Sequence, residues 1–547
     1  MEIATINSVT FADQNPGTSG LRKKTSIFLQ PHYTANYAQA AMEVMKVKDK
    51  TFVIGGDGRY YTKQALNIIV SIGIANGAKQ ILIAKNALLS TPSASNIIRK
   101  YKLDFGFILS ASHNPGGIYG DFGIKINDNK GAPLSSFFTD NIYKVSQTIS
   151  KYKTLENFNL DCTKETEQTI LGTQIKIIDP IADYANMMEE IFDFNEIYDL
   201  FHKKNFKLMY DGLNGVTGNY AKEIFSNRLG LSNEFLINHI SQEDFGGLIP
   251  DPSPSTSLNF IKSVRNNPQI NLGCSCDADG DRNFIFSQNN FLEPSDSLAV
   301  ILQYSHLFNY YKDQIYGVGR SKATSNAVDL VAQDLGLNCY VVPTGWKYFS
   351  NLLEAKKITF CGEESFGTSS NHLREKDGLW AILFWLSIIA KTNKSLDELL
   401  KILWTKYGRV FFMRKDFTNL NDEKVQAIYN NLQSSATIGI KSTNSKINAI
   451  STSRYFIKSF NEFSYTDPVE NNLILTKDLV INFNNNAQLV LRTSGTGTGG
   501  KIVRLYLSEH CLDQNKIDYN KTVYLKSLIE NTYKIIDIPN FVPDSVI

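Results

Sequence analysis

Three aspartates alternate along the segment DADGDR, at Asp277, Asp279 and Asp281. Because alternate side chains of an extended or tightly turned segment share one side, these carboxylates can converge on one hard cation. Oxygen-only ligation favours Mg²⁺, above all where a phosphate oxygen completes the coordination shell, and Arg282 would then face that phosphate. An EF-hand is excluded, because Arg282 and Gln288 stand where its loop glycine and terminal glutamate belong. The segment predicts a magnesium site.

A second segment, SASHNPGG, places Ser112 and His113 between the apolar run FGFIL and a turn with one proline and two glycines. This pattern indicates a hydroxyl that is held still at the end of a buried strand. A Ser-His hydrolase is disfavoured, because adjacent side chains rarely form a good nucleophile–base pair and the G-x-S-x-G elbow is absent. A serine that carries a phosphoryl group fits better, since Mg²⁺ and nearby cations could stabilise that group during transfer.

The glycine-rich segment RTSGTGTGGKIVRLY contains the spacings of two nucleotide-binding motifs. Ile502 replaces the Ser/Thr of a P-loop, and IVRLYL predicts a strand where both motifs need a helix. The backbone N–H groups, together with Arg492, Ser494 and Thr496, could still bind an anion. A flexible surface hairpin is an equally good interpretation of this segment alone.

Two further segments have polar groups beside apolar ones. CGEESFG puts two carboxylates and a hydroxyl at the end of a predicted strand, where they suit the hydroxyls of a sugar. NHLREKDGLW sets His372, Arg374, Lys376 and Asp377 directly before an apolar helix. Taken alone, the first is more typical of an ordinary loop and the second of an ordinary helix start.

The elements that must position these residues follow one pattern three times, as strand, Gly/Asp turn, helix and strand. The three repeats begin at FVIGGDGRYY, FKLMYDGLNG and IYGVGRSKAT, and they predict α/β domains of like construction. Near residue 409 the pattern changes to alternating strands and a final helix, which predicts a smaller α+β domain. We therefore expect four domains, at 1–188, 189–295, 296–409 and 410–547.

Composition excludes several classes of protein. The 547 residues are 42% hydrophobic and 20% charged, as in ordinary globular proteins, and a net charge of +2 gives no reason to expect nucleic acid or an anionic membrane as partner. We find neither a secretory signal nor a run of about 18 apolar residues that could span a membrane. Six cysteines do not make a disulfide framework, and Cys274 and Cys276 are expected as buried strand residues. The chain is expected to be cytoplasmic.

Taken together, the motifs resemble those of the α-D-phosphohexomutase superfamily, in the same order and over nearly the whole chain. They are PGTSGLRKK, GGDGRYY, SASHNPGG with GDFGIKIN, DADGDRN, VPTGWKYF, CGEESFG, REKDGLW and RTSGTG. The resemblance implies a heart-shaped monomer with three similar α/β domains and a smaller α+β domain, each giving one loop to a central cleft. GEESFG resembles the glucose-type loop more than the Gly-His ending of phosphomannomutase and phosphoglucosamine mutase relatives.

The resemblance also implies a role for individual residues. Ser112 would be the phosphoserine, and an oxygen of its phosphoryl group would join Asp277, Asp279 and Asp281 around one Mg²⁺. The groups around the reacting phosphoryl, with Lys125 or Lys376 as the proton-handling group, would be Arg22, His113, Lys125, Arg282 and Lys376. The substrate-binding residues would be Thr18, Ser19, Arg282, Thr344, Gly345, Glu363, Ser365, Lys376, Arg492, Ser494, Gly495, Thr496 and Arg504.

The implied activity is the interconversion of α-D-glucose 1-phosphate and glucose 6-phosphate, with glucose 1,6-bisphosphate as intermediate and activator. Its partners would be small sugar phosphates. The alternatives are a mutase for mannose or pentose phosphates, an enzyme that makes the bisphosphate, and a non-catalytic phosphoprotein related to these enzymes. Catalysis is favoured, because Ser112 and the three aspartates are all present. Departures from the family pattern at Asn214, at Lys322-Ala323 and at Leu248-Ile249 concern the packing between domains.

Overall fold

The computed structural model describes residues 2–17, 19–441, 455–495 and 501–536 of the chain. Four sheets, each with its own helices, follow one another along these residues. We call them the first to fourth units. Among the described helices, none is both long enough and apolar enough to cross a bilayer.

The first unit contains a seven-stranded sheet and an antiparallel ribbon. Its strands are β1 (Ile3–Asn7), β2 (Leu21–Lys24), β3 (Thr51–Gly56), β4 (Gln80–Leu88), β5 (Phe105–Leu109), β6 (Asp121–Asp128), β7 (Lys151–Leu155), β8 (Glu167–Ile170) and β9 (Thr173–Ile178). Its helices are α1 (Thr25–Phe28), α2 (Tyr33–Val44), α3 (Thr62–Ala75), α4 (Thr91–Tyr101) and α5 (Ser136–Ser146). The sheet order is β2-β6-β5-β3-β4-β9-β8, and β1 pairs with β7. β5 is buried at every residue, as expected for a strand covered on both faces.

The second unit has a four-stranded sheet. Its strands are β10 (Leu208–Asp211), β11 (Leu236–Ile237), β12 (Leu272–Cys276) and β13 (Asn283–Phe286). Its helices are α6 (Pro180–Ile191), α7 (Phe194–His202), α8 (Thr217–Ala221), the π-helical segment Lys222–Arg228 and α9 (Leu258–Arg265). Cys274 and Cys276 are buried in β12, as predicted. β11 has only two residues, because a 3-10 turn occupies Asn233–Phe235 directly before it.

The third and fourth units complete the chain. The third has β14 (Gly317–Ser321), β15 (Asn338–Val342), β16 (Phe360–Glu363) and β17 (Gly367–Ser370), with α10 (Pro294–Tyr304), α11 (Ala327–Asp334), α12 (Lys347–Glu354), α13 (Gly378–Thr392) and α14 (Leu396–Tyr407). The fourth has β18 (Arg409–Leu420), β19 (Ile457–Thr466), β20 (Leu473–Phe483), β21 (Ala487–Gly495) and β22 (Lys501–Cys511), with α15 (Asp422–Lys441) and α16 (Lys521–Ile536). The fourth sheet is antiparallel throughout, in the order β18-β22-β21-β20-β19.

The first three units share one four-stranded pattern. The orders β4-β3-β5-β6, β11-β10-β12-β13 and β15-β14-β16-β17 each contain two parallel pairings followed by one antiparallel pairing. The loop after the third strand of each pattern is SASHNPGG, DADGDR and ESF respectively. Three of the predicted motifs therefore occupy the same topological position, and the predicted fold of three similar α/β units and one α+β unit is confirmed.

The apolar helix α13 is central to the core that the second and third units share. Every residue from Gly378 to Ile389 is buried. The apolarity of this helix therefore reflects its position inside the protein.

Burial in this core predicts that alanine substitutions at two leucines of the third unit differ in their effect on stability. Leu386→Ala, at a fully buried position, should lower the free energy of unfolding by about 3–5 kcal/mol, because it removes apolar contacts and leaves a cavity. Leu335→Ala, at a position 45% exposed, should lower it by less than about 1 kcal/mol. Urea unfolding followed by tryptophan fluorescence measures both. Equal losses in the two variants would contradict the assignment of the core.

Candidate active site

A cavity of about 310 Å³ lies where loops of all four units meet. Most of the residues predicted for the site line it. They are Ser19, His113, Lys125, Asp281, Arg282, Thr344, Gly345, Glu363, Ser365, Lys376, Arg492 and Arg504. The site is therefore assembled from residues of all four units.

Ser112 directly precedes the cavity-lining His113, in the loop between β5 and β6. It is 2% exposed, and its backbone is left-handed, with φ of 53°. Its hydroxyl donates a hydrogen bond of 2.8 Å to Asp277 Oδ2 of the second unit. Its own N–H donates to Ser110 Oγ at 2.7 Å. The hydroxyl is held between two units, as the rigid turn predicts.

His113 does not act as a base toward Ser112 in this arrangement. Its Nδ1 is 3.4 Å from Ser112 Oγ, which is a long contact, while the carboxylate of Asp277 is closer. Burial, Arg282 and Arg22 lower the pKa of His113 well below its ordinary value, so the imidazole is neutral. The geometry agrees with the expectation that this is not a Ser-His hydrolase.

Sequence reasoning gave no role to Asp57 and Arg59, although both belong to the GGDGRYY motif. The two side chains form a fully buried ion pair of 2.8 Å. Arg59 Nη2 donates to the carbonyl of Ser112 at 2.6 Å, and Ser110 Oγ donates to Asp57 Oδ2 at 2.6 Å. Arg59 Nη1 also donates to the carbonyl of Asp121 at 2.8 Å. The pair holds both ends of the serine loop. In the sequence, the only sign of this role was that Asp57 and Arg59, which have opposite charges, stand two positions apart after a predicted strand.

The three aspartates converge as predicted. All are buried, and one carboxylate oxygen of each lies within 4.8 Å of the others. Asp279 Oδ1 and Asp281 Oδ1 are buried and have no hydrogen-bond partner among the described residues. Buried carboxylate oxygens without donors are costly unless a cation satisfies them. The donor set therefore fits a hard divalent cation, and the triad can bind a metal ion.

Two lysines face this triad. Lys125 Nζ donates to Asp279 Oδ2 and lies 3.7 Å from Asp281 Oδ2, while Lys376 Nζ lies 3.1 Å from the same Asp281 oxygen. Burial lowers the pKa of each amine, but the neighbouring carboxylates outweigh burial and raise it above the ordinary value. Both lysines are therefore protonated here and can donate a proton but not accept one.

Four buried arginine Nε atoms at the site lack a hydrogen-bond partner among the described residues. Arg22 and Arg282 lie near the triad, where the main chain of Arg282 donates to Asp277 Oδ1 at 3.0 Å. Arg492 and Arg504 face each other on β21 and β22 of the fourth unit. Their Nε atoms are 3.4 Å from Asp478 Oδ1 and Asp416 Oδ2 respectively, without the alignment of a hydrogen bond. Two separate groups of donors are thus available to anions.

The loops of the third unit supply groups that suit hydroxyls. Glu363 ends β16, and its Oε1 accepts a hydrogen bond of 3.0 Å from the N–H of Gly345. Thr344 Oγ1 is buried and has no hydrogen-bond partner in the described part of the chain. Ser365 also lines the cavity. The carboxylate and two hydroxyls can accept from and donate to a polyol.

Some predicted residues do not line the cavity or cannot be placed. Ser112, Asp277, Asp279 and Arg22 are not among the residues that line it; the first three are buried, and Arg22 is half-buried. Thr18 and Thr496 lie outside the described residues, and Ser494 and Gly495 are the last two residues of β21.

Glu375 is a third residue that sequence reasoning missed, although it precedes Lys376 in the quoted motif. It lines the cavity, and its Oε1 accepts a hydrogen bond of 2.9 Å from Asn127 Nδ2. Burial raises the pKa of Glu375 to about 8. This carboxyl group is therefore largely protonated at neutral pH.

The raised pKa of Glu375 predicts the direction in which stability changes with pH. The folded chain keeps a proton on Glu375 up to about pH 8, whereas the unfolded chain releases it near pH 4.5. Stability should therefore fall as pH rises between these values, and Glu375→Gln should reduce that fall. Urea unfolding at pH 5, 6.5 and 8 with EDTA measures this. The exposed Glu190→Gln serves as control, and an identical pH dependence in Glu375→Gln and wild type would contradict the assignment.

Family models match nearly the whole chain. Three models describe the alpha/beta/alpha domains of phosphoglucomutase/phosphomannomutase, and they match residues 13–153 (domain I), 182–290 (domain II) and 294–407 (domain III). A fourth, for the C-terminal domain of phosphoglucomutase-1, matches residues 409–545.

Individual relatives agree with these models over their full length. Phosphoglucomutase 1 of Drosophila melanogaster is 41% identical over 543 residues, which cover 97% of this chain and 96% of the relative. Phosphoglucomutase 2 of Saccharomyces cerevisiae is 42% identical over 558 residues, covering 98% and 97%. The open form of the exocytosis-sensitive phosphoprotein pp63/parafusin, a phosphoglucomutase from Paramecium, superposes with a TM-score of 0.90 at 34% identity, covering 99% of this chain and 97% of that one. The chain belongs to the phosphoglucomutase/phosphomannomutase family.

Proposed function

We propose that the chain catalyses the phosphoglucomutase reaction, the reversible interconversion of α-D-glucose 1-phosphate and glucose 6-phosphate. The observation that supports this most directly is the buried Ser112 hydroxyl, 2.8 Å from Asp277, at a cavity with two separate groups of arginine donors. One group suits a phosphoryl on Ser112, and the other suits a phosphate at the far end of a sugar. Full-length relatives at about 40% identity are named phosphoglucomutases.

The proposed reaction passes through a phosphorylated Ser112. The 6-hydroxyl of glucose 1-phosphate attacks the phosphorus, the bond from phosphorus to Ser112 Oγ breaks, and glucose 1,6-bisphosphate forms. The bisphosphate turns over in the cavity, and its 1-phosphoryl passes back to Ser112 Oγ, which leaves glucose 6-phosphate. The oxygen that leaves takes up a proton and the attacking hydroxyl loses one. Lys125 and Lys376, both protonated at the start, are the candidates for donating the first proton and recovering the second.

We further propose Mg²⁺ as the ion of the aspartate triad. When bound, it would neutralise charge on the phosphoryl group of Ser112, which is the chemistry that a hard cation supplies in phosphoryl transfer. Arg22, Arg282 and neutral His113 would hold the remaining phosphoryl oxygens. Asp277, Asp279 and Asp281 are the ligands in this proposal.

The fourth unit would bind the phosphate that is not transferred, through Arg492 and Arg504 with the loop that follows β21. Glu363 and Ser365 would hold the sugar hydroxyls in both orientations of the bisphosphate. Because one chain supplies all four loops of the cavity, we propose that a monomer is active, with domains at 1–188, 189–295, 296–409 and 410–547.

Ser112→Ala tests the proposed function directly. It removes the oxygen that carries the phosphoryl group, so kcat for glucose 1-phosphate should fall by at least about a thousandfold. A coupled assay of glucose 6-phosphate formation, with Mg²⁺ and trace glucose 1,6-bisphosphate, measures this. Ser135→Ala is the matched control, since this serine is exposed and makes no capping hydrogen bond.

The same assay separates the sugar alternatives. Wild type should convert glucose 1-phosphate with a kcat/KM at least about tenfold above that for mannose 1-phosphate, and EDTA should abolish turnover. A folded wild type without activity on glucose 1-phosphate would overturn the proposed function. Faster turnover of mannose 1-phosphate would overturn the glucose assignment alone.

Arg504→Ala tests the distal phosphate site. Hydrogen bonds to charged groups contribute about 1.5–3 kcal/mol, so KM for glucose 1-phosphate should rise about ten- to hundredfold. Steady-state kinetics measures this, and the control is Arg265→Ala, because Arg265 lies on α9 outside the cavity. An unchanged KM would remove Arg504 from the phosphate site.

A further inference from the structure

A turn of the second unit, residues 242–247, packs against the loop that carries Ser112. The carbonyl of Glu243 accepts two hydrogen bonds from the first unit, from the N–H of Tyr60 at 2.8 Å and from the N–H of Gly117 at 2.9 Å. Phe245 is fully buried, and the guanidinium carbon of Arg59 lies 5.2 Å from the centre of its ring. The 242–247 turn thus contacts both the serine loop and the arginine that holds its backbone.

The packing between the turn and the serine loop is tight. A Cβ atom placed on Gly116 would lie 2.8 Å from two ring carbons of Phe245 and 2.9 Å from the carbonyl oxygen of Glu243. The loop backbone therefore rests directly on the ring. The guanidinium of Arg59 therefore contacts both the carboxylate of Asp57 and the face of the Phe245 ring.

The turn has a strained backbone. Phe245 has φ of 56°, and Gly246 and Gly247 follow it at 64° and 74°. A bulky residue rarely adopts this left-handed region, and such strain persists only where the surroundings impose it. Asn214 holds the turn in this conformation, since its side-chain Nδ2 donates to the carbonyl of Phe245 at 3.1 Å and its main-chain carbonyl accepts from the N–H of Gln242 at 2.9 Å. Asn214, which departs from the family pattern, thus has a structural role.

We propose that Phe245 is a positioning residue for phosphoryl transfer. The 242–247 turn and the aspartate loop belong to the same unit, whereas Ser112 belongs to another. By holding Arg59 and Gly116, Phe245 fixes Ser112 relative to Asp277, so the distance between hydroxyl and carboxylate does not depend on the serine loop alone. The inference rests on the proposed function for its effect on rate, but the placement itself is independent of substrate.

The test compares Phe245→Leu with Phe260→Leu. Phe260 is also buried in the second unit, at 5% exposure, and it packs on Phe286 away from the serine loop. Phe245→Leu should lower kcat about ten- to hundredfold with KM within about twofold of wild type, because small misplacements of reacting groups are costly. Phe260→Leu should leave kcat within about twofold at a similar loss of thermal stability. Equal effects on kcat would overturn the proposal.

A double-mutant cycle separates positioning from a general loss of packing. If Phe245 acts through Arg59, Phe245→Leu should change kcat by less than about twofold in an Arg59→Lys background, because the arrangement it supports is already lost. If the two substitutions instead lowered kcat by factors that multiply, Phe245 would not act through Arg59.

Hydrogen exchange gives a readout that does not need turnover. Amides of residues 110–120 should exchange about tenfold faster in Phe245→Leu, and at the wild-type rate in Phe260→Leu. Unchanged exchange in Phe245→Leu would overturn the proposal even if the wild type proved inactive on glucose 1-phosphate. An active wild type with an equally active Phe245→Leu would overturn the positioning role and leave the proposed function standing.

Discussion

The contact between the Ser112 hydroxyl and the Asp277 carboxylate joins two separately built sheets, and the site depends on it. Neither unit can supply both groups, because each ends its third strand in a single functional loop. In the proposed reaction, the relative position of the first two units therefore affects the rate as well as the stability of the chain. Thr91 adds a second link, since its hydroxyl donates to Asp279 Oδ2 at 2.6 Å and its N–H donates to the Asp279 carbonyl at 2.9 Å.

The close packing of charged groups also determines the protonation of the site. Three carboxylates enclosed within 4.8 Å of one another repel, and burial and this repulsion raise the pKa of Asp277 well above its ordinary value. Lys125 has the opposite effect on Asp279, where it overcomes burial and lowers the pKa below the ordinary value. Lysines and arginines therefore stabilise the triad when no metal is bound, and they also favour an anionic ligand. The same lysines and arginines thus act both in the metal-free site and in the site with a bound anion.

Much of this arrangement could be predicted from the sequence. The alternation of Asp277, Asp279 and Asp281 and the apolar strand before Ser112 are local patterns, so they identify their loops without tertiary information. The repeated strand–turn–helix pattern likewise gave the three α/β units. The repeated sequence pattern did not show that the loop motifs of these units occupy the same topological position. This position depends on which strands pair, and the spacing of residues does not reveal strand pairing.

The residues that sequence reasoning missed act across long separations. Arg59 reaches the Ser112 carbonyl 53 positions away, and Asn127 reaches Glu375 across 248 positions. Charged residues at a strand end or helix start are usually solvated, so their types alone do not indicate burial. The packing of Phe245 against Gly116 is likewise a property of the folded chain, since neither residue is unusual in its own segment.

The left-handed backbone at Ser112 restricts which amino acid evolution can use there. Threonine would offer the same hydroxyl and form an equivalent phosphoester, but its additional methyl group makes φ of 53° unfavourable. Cysteine and aspartate, the other phosphoryl-accepting side chains of similar size, would bring a different bond strength or a further negative charge beside the aspartates. The conformation of one residue thus disfavours the chemically nearest substitute and favours serine as the carrier in the proposed reaction.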